Sequence, residues 1–242
     1  MVRTRSGRIY QAQVQPSWGV RRKRTTRPRA VLLGPVRRNP YTVKTKYAPH
    51  RPQQKIISLS NAKVTAGVSG YGWHINPIPI GSGYEDRHSD KIKINNFSFL
   101  MQLRDGADGN NSYTVHNVYL FLVRDNSSGP SVPTFDKICT MDNSNPATAV
   151  VDHDARDRFK IMRKWHYTFS GACKAGSTYY SPCRYTVDFS KFKKINMETE
   201  YKSSTDGSYA NIQKNAWVLY LVGQSYDFYV DGHVRVTYTS IV

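Results

Sequence analysis

Acidic residues are absent from the first third of this 242-residue chain: Glu85 is the first one. Residues 1–55 hold 15 Lys/Arg and no acid, so +15 of the formal +18 sits in that segment and only +3 in residues 56–242. Cysteine is scarce too, three in the whole chain. That number excludes a disulfide scaffold, and an odd count fits a reducing compartment. No apolar run approaches the roughly 18 residues of a membrane span. The longest near the C-terminus is Ala216 to Val222, so membrane insertion is not expected. No segment shows a helical stripe longer than about three turns. Gly67 to Gly72 is glycine-rich but lacks the lysine of a phosphate-binding loop, and reads as a flexible link.

The basic segment also carries Pro16, Pro28, Pro35, Pro40, Pro49 and Pro52, and its apolar residues follow no period of 2 or 3.6. A chain of that kind buries too little apolar surface to offset the entropy of ordering, so residues 1–55 read as a flexible arm. Its prolines and the β-branched pair Thr25-Thr26 oppose the amphipathic helix of an organelle transit peptide. Two cation clusters stand out: Arg21, Arg22, Lys23 and Arg24 with Arg27 and Arg29, and Arg37 and Arg38 with Lys44 and Lys46. Like-charge blocks on such an arm bind nucleic acid, and short Lys/Arg runs also serve nuclear import. Arg21, Arg22, Lys23, Arg24, Arg37 and Arg38 are the import candidates. The interspersed Tyr10, Trp18, Tyr41 and Tyr47 can stack on unpaired bases, which favours single strands over duplex.

From residue 56 onward the pattern changes to short Val/Ile/Tyr/Phe/Thr runs separated by turn residues. Strands are expected at Ile56–Ala66, Trp73–Ile80, Lys91–Arg104, Tyr113–Arg124, Arg158–Phe169, Arg184–Phe189, Lys194–Lys202, Asn215–Gly223 and His233–Ile241. Asp105-Gly106, Asp206-Gly207 and Asp231-Gly232 have turn chemistry. Short helices are expected within Pro133–Met141 and Pro146–Asp157. Eight or nine strands without alternating helices mean a β-sandwich or barrel over residues 56–242.

Residues that could do chemistry do not assemble into a recognisable site. Cys173 and Cys183 stand too far apart for the paired spacing of a zinc site. Asp152, Asp154 and Asp157 surround His153, but the glycine and glutamate of a calcium loop are missing. His153, Asp154 and Ser170 could be cast as a triad, although nothing in the sequence places them together. No enzymatic activity, cofactor or metal is expected.

Two segments bear a family resemblance. From Arg158 to Thr168 an apolar pair, Ile161-Met162, precedes Arg163-Lys164, Trp165 and His166. From Asp206 to Tyr220 a turn, Gly207-Ser208-Tyr209, runs through Asn215-Ala216 into an apolar strand. Weaker similarity covers Gly81 to Phe99, with Arg87-His88, and Thr134 to Arg158. In this order and spacing the chain resembles the coat proteins of geminiviruses, plant viruses with circular single-stranded DNA. The curly-top-like and grass-infecting groups are nearest in spacing. With no cysteine before Cys139, the early Cys/His cluster of the whitefly-transmitted genus does not carry over. The resemblance implies an eight-stranded jelly roll that assembles into a twinned, incomplete-icosahedral shell around the DNA. It further implies entry into the host nucleus through an importin, a receptor in the insect vector, and presence in both virion and nucleus. Arg163 and Lys164 are then candidates for DNA contact inside the shell; Tyr209 and Tyr226, which lie beside expected loops, are candidates for subunit contact. The different-class alternative is a DNA-binding regulator acting as a small oligomer.

Overall fold

The computed structural model describes residues 52–65, 67–105, 116–169, 174–175, 178–179, 186–203 and 205–241. The arm's cation clusters lie outside the described residues. Eight strands carry the fold: β1 Gln53–Val64, β2 Tyr71–His74, β3 Lys91–Asp105, β4 His116–Asp125, β5 Phe159–Phe169, β6 Thr186–Tyr201, β7 Ala216–Gly223 and β8 Phe228–Ser240. One sheet runs β1-β8-β3-β6, extended by the short strand Ile212–Lys214; the other runs β2-β7-β4-β5. The paired strands are antiparallel. The chain passes back and forth between the sheets, which makes the domain an eight-stranded jelly-roll sandwich. The helical segments among the described residues are single 3₁₀ turns, including Phe135–Lys137 and Pro146–Thr148 where short helices were expected.

Alternation decides which side chains enter the sandwich. On β3 the buried set is Ile92 and Ile94, then Phe97, Phe99, Met101 and Leu103. The parity flips at Asn95-Asn96, where the register slips against both neighbours: β3 has one residue more than β8 there, and β6 one more than β3. The core is aromatic. Phe97 meets Trp217 at 5.5 Å, and Phe99, Trp165 and Phe189 pack edge to face at 5.2–5.7 Å. β7 is buried on both faces, which explains its unbroken apolar run. Its outer face is roofed by the segment before β5. There Phe135 packs on Phe121 at 4.6 Å and on Tyr220 at 5.4 Å, and the Tyr220 hydroxyl donates to Pro133 O at 2.9 Å.

Four local expectations are revised. Arg184–Phe189 and Lys194–Lys202 belong to one strand, β6, bent at Asn196 where φ is +51°. Asp231-Gly232 is no turn but lies inside β8. Gly232 has φ +139°, and a Cβ there would meet Leu100 O at 2.3 Å, so only glycine fits. The expected strand Trp73–Ile80 stops at His74, because Pro77 and Pro79 have no N–H to offer the ladder. Finally, Tyr71 and Gly72 are no flexible link: they open β2, paired with Leu221 and Tyr220.

Candidate subunit and nucleic-acid surfaces

Arg163 and Lys164, adjacent on β5, point to opposite faces of their sheet. Arg163 is exposed and shares its side with Trp165 and Tyr167, whose rings pack on Phe189 of the opposing sheet. Lys164 turns outward onto the roof. Its Nζ donates to Pro146 O at 3.1 Å and to Ala147 O, and lies 5.1 and 5.3 Å from the Tyr119 and Phe121 ring centres. Burial holds its pKa below the usual lysine value. Lys164 therefore pins the roof segment, which sets it apart from its expected partnership with Arg163.

Tyr209 also differs from expectation. A candidate for subunit contact from the sequence, it is only 5% exposed in the single subunit. Its hydroxyl donates to the fully buried Asp125 carboxylate, and Arg158 reaches the same carboxylate with Nε and Nη2, both at 2.9 Å. Arg158 Nη2 also reaches the Tyr209 oxygen at 3.4 Å. Burial first, then the neighbouring carboxylate, pushes the Tyr209 pKa up; hydrogen bonding to Asp125 pushes that of Arg158 up. These three residues tie the end of β4, the start of β5 and the loop before β7 together. The Gly-x-Tyr and basic-strand motifs thus meet at one buried charge. Tyr226 is half-buried, with its backbone N–H 3.4 Å from His116 Nε2 and its ring edge-on to that imidazole at 5.7 Å.

A second buried cation organises the loop before β3. Arg87 is fully buried and donates to Ile78 O at 3.1 Å, Ser89 O at 3.0 Å and Asp90 Oδ1 at 2.8 Å, while stacking on the Tyr201 ring at 4.3 Å. Close by, His74 packs edge-on against Tyr209 at 5.7 Å, and its Nε2 is buried without a partner. Burial lowers its pKa from 6.5 to about 4, against weaker raising effects of Asn76 and Asp206. The folded pKa lies below the unfolded one, so the unfolded chain takes up the extra proton first. Stability from this group is complete above pH 6.5 and declines as pH falls towards 4. Thermal melts between pH 7 and 4 should show wild type losing about 1–3 kcal/mol more than His74→Phe. Parallel pH curves for the two proteins would refute a neutral buried His74.

The surface that sequence reasoning missed is the exposed face of the larger sheet. Strand register sets Ile56, Arg235, Ser98 and Phe192 side by side across β1, β8, β3 and β6. The next row is Gln54, Thr237, Asn96 and Lys194. Phe192 is 66% exposed, and Ile56 and Leu100 are each 44% exposed on the same face. An aromatic ring in water on a face that also carries Lys194 and Arg235 has the chemistry to meet flat, anionic groups. Acids occupy the two ends of that face, with Asp231 paired to Arg104 and Glu200 paired to Lys91, and the middle is left to the cations. The legible signal was a lone aromatic inside Lys191-Phe192-Lys193-Lys194.

The model of the geminivirus coat protein/nuclear export factor BR1 family matches residues 5–242, and the chain belongs to that family. Among relatives, the capsid protein of Tomato yellow leaf curl Sardinia virus is 29% identical over 148 residues, 61% of this chain and 55% of that protein. The capsid protein of African cassava mosaic virus (isolate Nigerian) is 26% identical over a stretch of the same length. That of Maize streak virus genotype C (isolate Set) is 26% identical over 206 residues, 78% of this chain and 82% of the other. The matched region spans about 55% of the length of the first two relatives.

Proposed function

We propose that this chain is a structural coat protein, without enzymatic activity, that assembles into a closed shell and packages circular single-stranded DNA without sequence preference. The family match across residues 5–242, on a jelly roll built to that family's motifs, carries the proposal. Two features supply the DNA chemistry: an arm with a charge of +15 over residues 1–55, and the Phe192–Arg235 face of the larger sheet. The arm neutralises phosphates wherever they lie, and the face offers a ring on which a base can stack.

These two contributions separate by salt. In full-length protein, Phe192→Ala should weaken binding to a mixed-sequence oligonucleotide about tenfold with an unchanged salt slope. Arg235→Ala should instead shallow the log–log salt slope by about 0.7, the loss of one phosphate contact. Fluorescence anisotropy at several salt concentrations reads both, and wild-type affinity in both variants would remove the sheet face from the DNA contact.

Carriage of the genome into the host nucleus is assigned to the arm, through an importin that reads Arg21, Arg22, Lys23 and Arg24, with Arg37 and Arg38 as a second element. The support is their clustering in an acid-free segment. A reporter fused to residues 1–55 should enter the nucleus and lose that ability when the first four are alanine. A reporter that stays cytoplasmic places the signal elsewhere. Vector recognition falls to exposed loops of the assembled shell.

A further inference from the structure

We infer that shell subunits join through a knob on one flank of the sandwich and a groove on the other, Tyr84 of one copy entering the Val150–Lys160 groove of the next. This contact rests on the capsid reading above and adds its geometry. A closed shell made from one kind of chain needs heterologous contacts, in which one patch of a subunit fits a different patch on its neighbour. The knob and the groove meet that need in position, shape and charge.

The knob lies on the β1 flank. Tyr84 is 72% exposed, the most exposed large hydrophobic side chain among the described residues. It stands at the tip of the loop between Ile80 and Arg87, whose base is closed by a bridge between those two residues. The loop is held firmly. Buried Arg87 anchors its end, Gln53 Nε2 of β1 donates to Asp86 O at 3.0 Å, and Lys55 Nζ lies 3.1 Å from Glu85. A rigid tyrosine on a pre-ordered loop loses little entropy on docking, which is the usual character of an interface hot spot. Glu85 and Asp86 give the knob two carboxylates, and Glu85 remains exposed despite its pair with Lys55.

The groove lies on the opposite flank, beside edge strand β5. It measures about 740 Å³. Its apolar lining includes Val150, Val151 and Phe159, and its cations are Arg156 and Lys160. Val150 is 66% exposed, on a two-residue strand. Val150 and Val151 pair with Thr140 and Cys139, so the wall is as well ordered as the knob. An apolar lining with Arg156 and Lys160 beside it suits an aromatic ring next to a carboxylate. The two flanks are opposed because β5 packs against β6 through Trp165, Tyr167 and Phe189, while β1 closes the far edge of the same larger sheet. One subunit therefore presents the knob on one side and the groove on the other, so the same contact can repeat around a ring.

Charge exchange in the full-length protein tests this, with assembled fraction in the presence of circular single-stranded DNA read by sedimentation and electron microscopy. Glu85→Arg and Lys160→Glu should each lower the assembled fraction about tenfold, the loss of one strong contact. The double variant should restore most of it, since the pair is re-formed with its signs reversed. Tyr84→Ala should behave like the single charge variants, and all four proteins should keep the wild-type thermal transition as isolated subunits. Carbodiimide treatment of wild-type shells should link Lys160 of one copy to Glu85 or Asp86 of another. Full assembly by Tyr84→Ala or by either charge variant overturns the contact, as does a folded double variant no better than its parents. A groove filled by the arm or by a host protein would leave Tyr84→Ala assembling normally and overturns it in the same way. Wild-type protein that forms no shells at all refutes the capsid reading itself, and this contact with it.

Discussion

Arg158→Ala should destabilise the subunit by about 3–5 kcal/mol, the largest effect expected of a single substitution in this chain. The cause is the group left behind. Asp125 is fully buried, and Arg158 supplies two 2.9 Å hydrogen bonds to its carboxylate. Without the guanidinium, the Tyr209 hydroxyl and the Ser127 backbone N–H remain to face a full negative charge in the interior. Arg158 is itself partly exposed, so its own desolvation offsets little of the gain from the pair. Asp125→Asn with Arg158→Met removes both charges together and should recover much of the loss. Chemical denaturation reads both results. A loss below about 1 kcal/mol for Arg158→Ala would mean that water reaches Asp125 in the folded subunit.

Removal of the arm should have the largest effect on DNA binding. An arm of +15 engaged along a single strand gives a log–log salt slope as steep as about −10. Deleting it should leave a slope of about −1 to −3 from the sheet face, with a cooperative thermal transition intact. The cut belongs before Pro52. β1 begins at Gln53, with Gln53, Gln54 and Lys55 already paired to Tyr238, Thr237 and Val236, so a cut after residue 55 would strip three residues from an edge strand. Truncated protein that keeps the full salt slope would move the phosphate contacts onto the shell domain, with Arg163, Arg235 and Lys194 the first residues to test. Truncated protein that fails to fold would show that the arm contributes to the sandwich.

Most of the fold was legible because the sandwich is built by alternation, and alternation survives in the sequence wherever one face is wet. β8 shows it plainly: Val234, Val236 and Tyr238 are buried between Arg235 and Thr237. Legibility failed where tertiary structure overrides local pattern. The expected strands leave a gap from Ser190 to Lys193, yet β3 supplies a partner for each of those residues, and the strand runs through. Asp231-Gly232 had turn chemistry, but its glycine serves a strand residue with positive φ pressed against β3. The site residues divided in the same way. The charge of the arm is a property of composition and needed no structure to be seen. The union of Asp125, Arg158 and Tyr209 was invisible, because Asp125 lies 33 residues before Arg158 and 84 before Tyr209 and is not marked by either motif. Phe192 went unnoticed because it falls between two expected strands, and only the register shows it inside a strand with its ring facing water.

The central claim is that the chain builds a closed shell around single-stranded DNA, and imaging tests it most directly. Purified full-length protein should be mixed with circular single-stranded DNA at moderate salt and examined by negative-stain electron microscopy, beside a sample without nucleic acid. Many copies of a +15 arm repel one another inside one cavity unless phosphates neutralise them, so closed particles should appear with DNA and be rare without it. Beaded filaments or isolated dimers on the DNA, with no closed particles at any salt concentration, would contradict packaging and leave the chain a DNA-binding regulator that acts as a small oligomer.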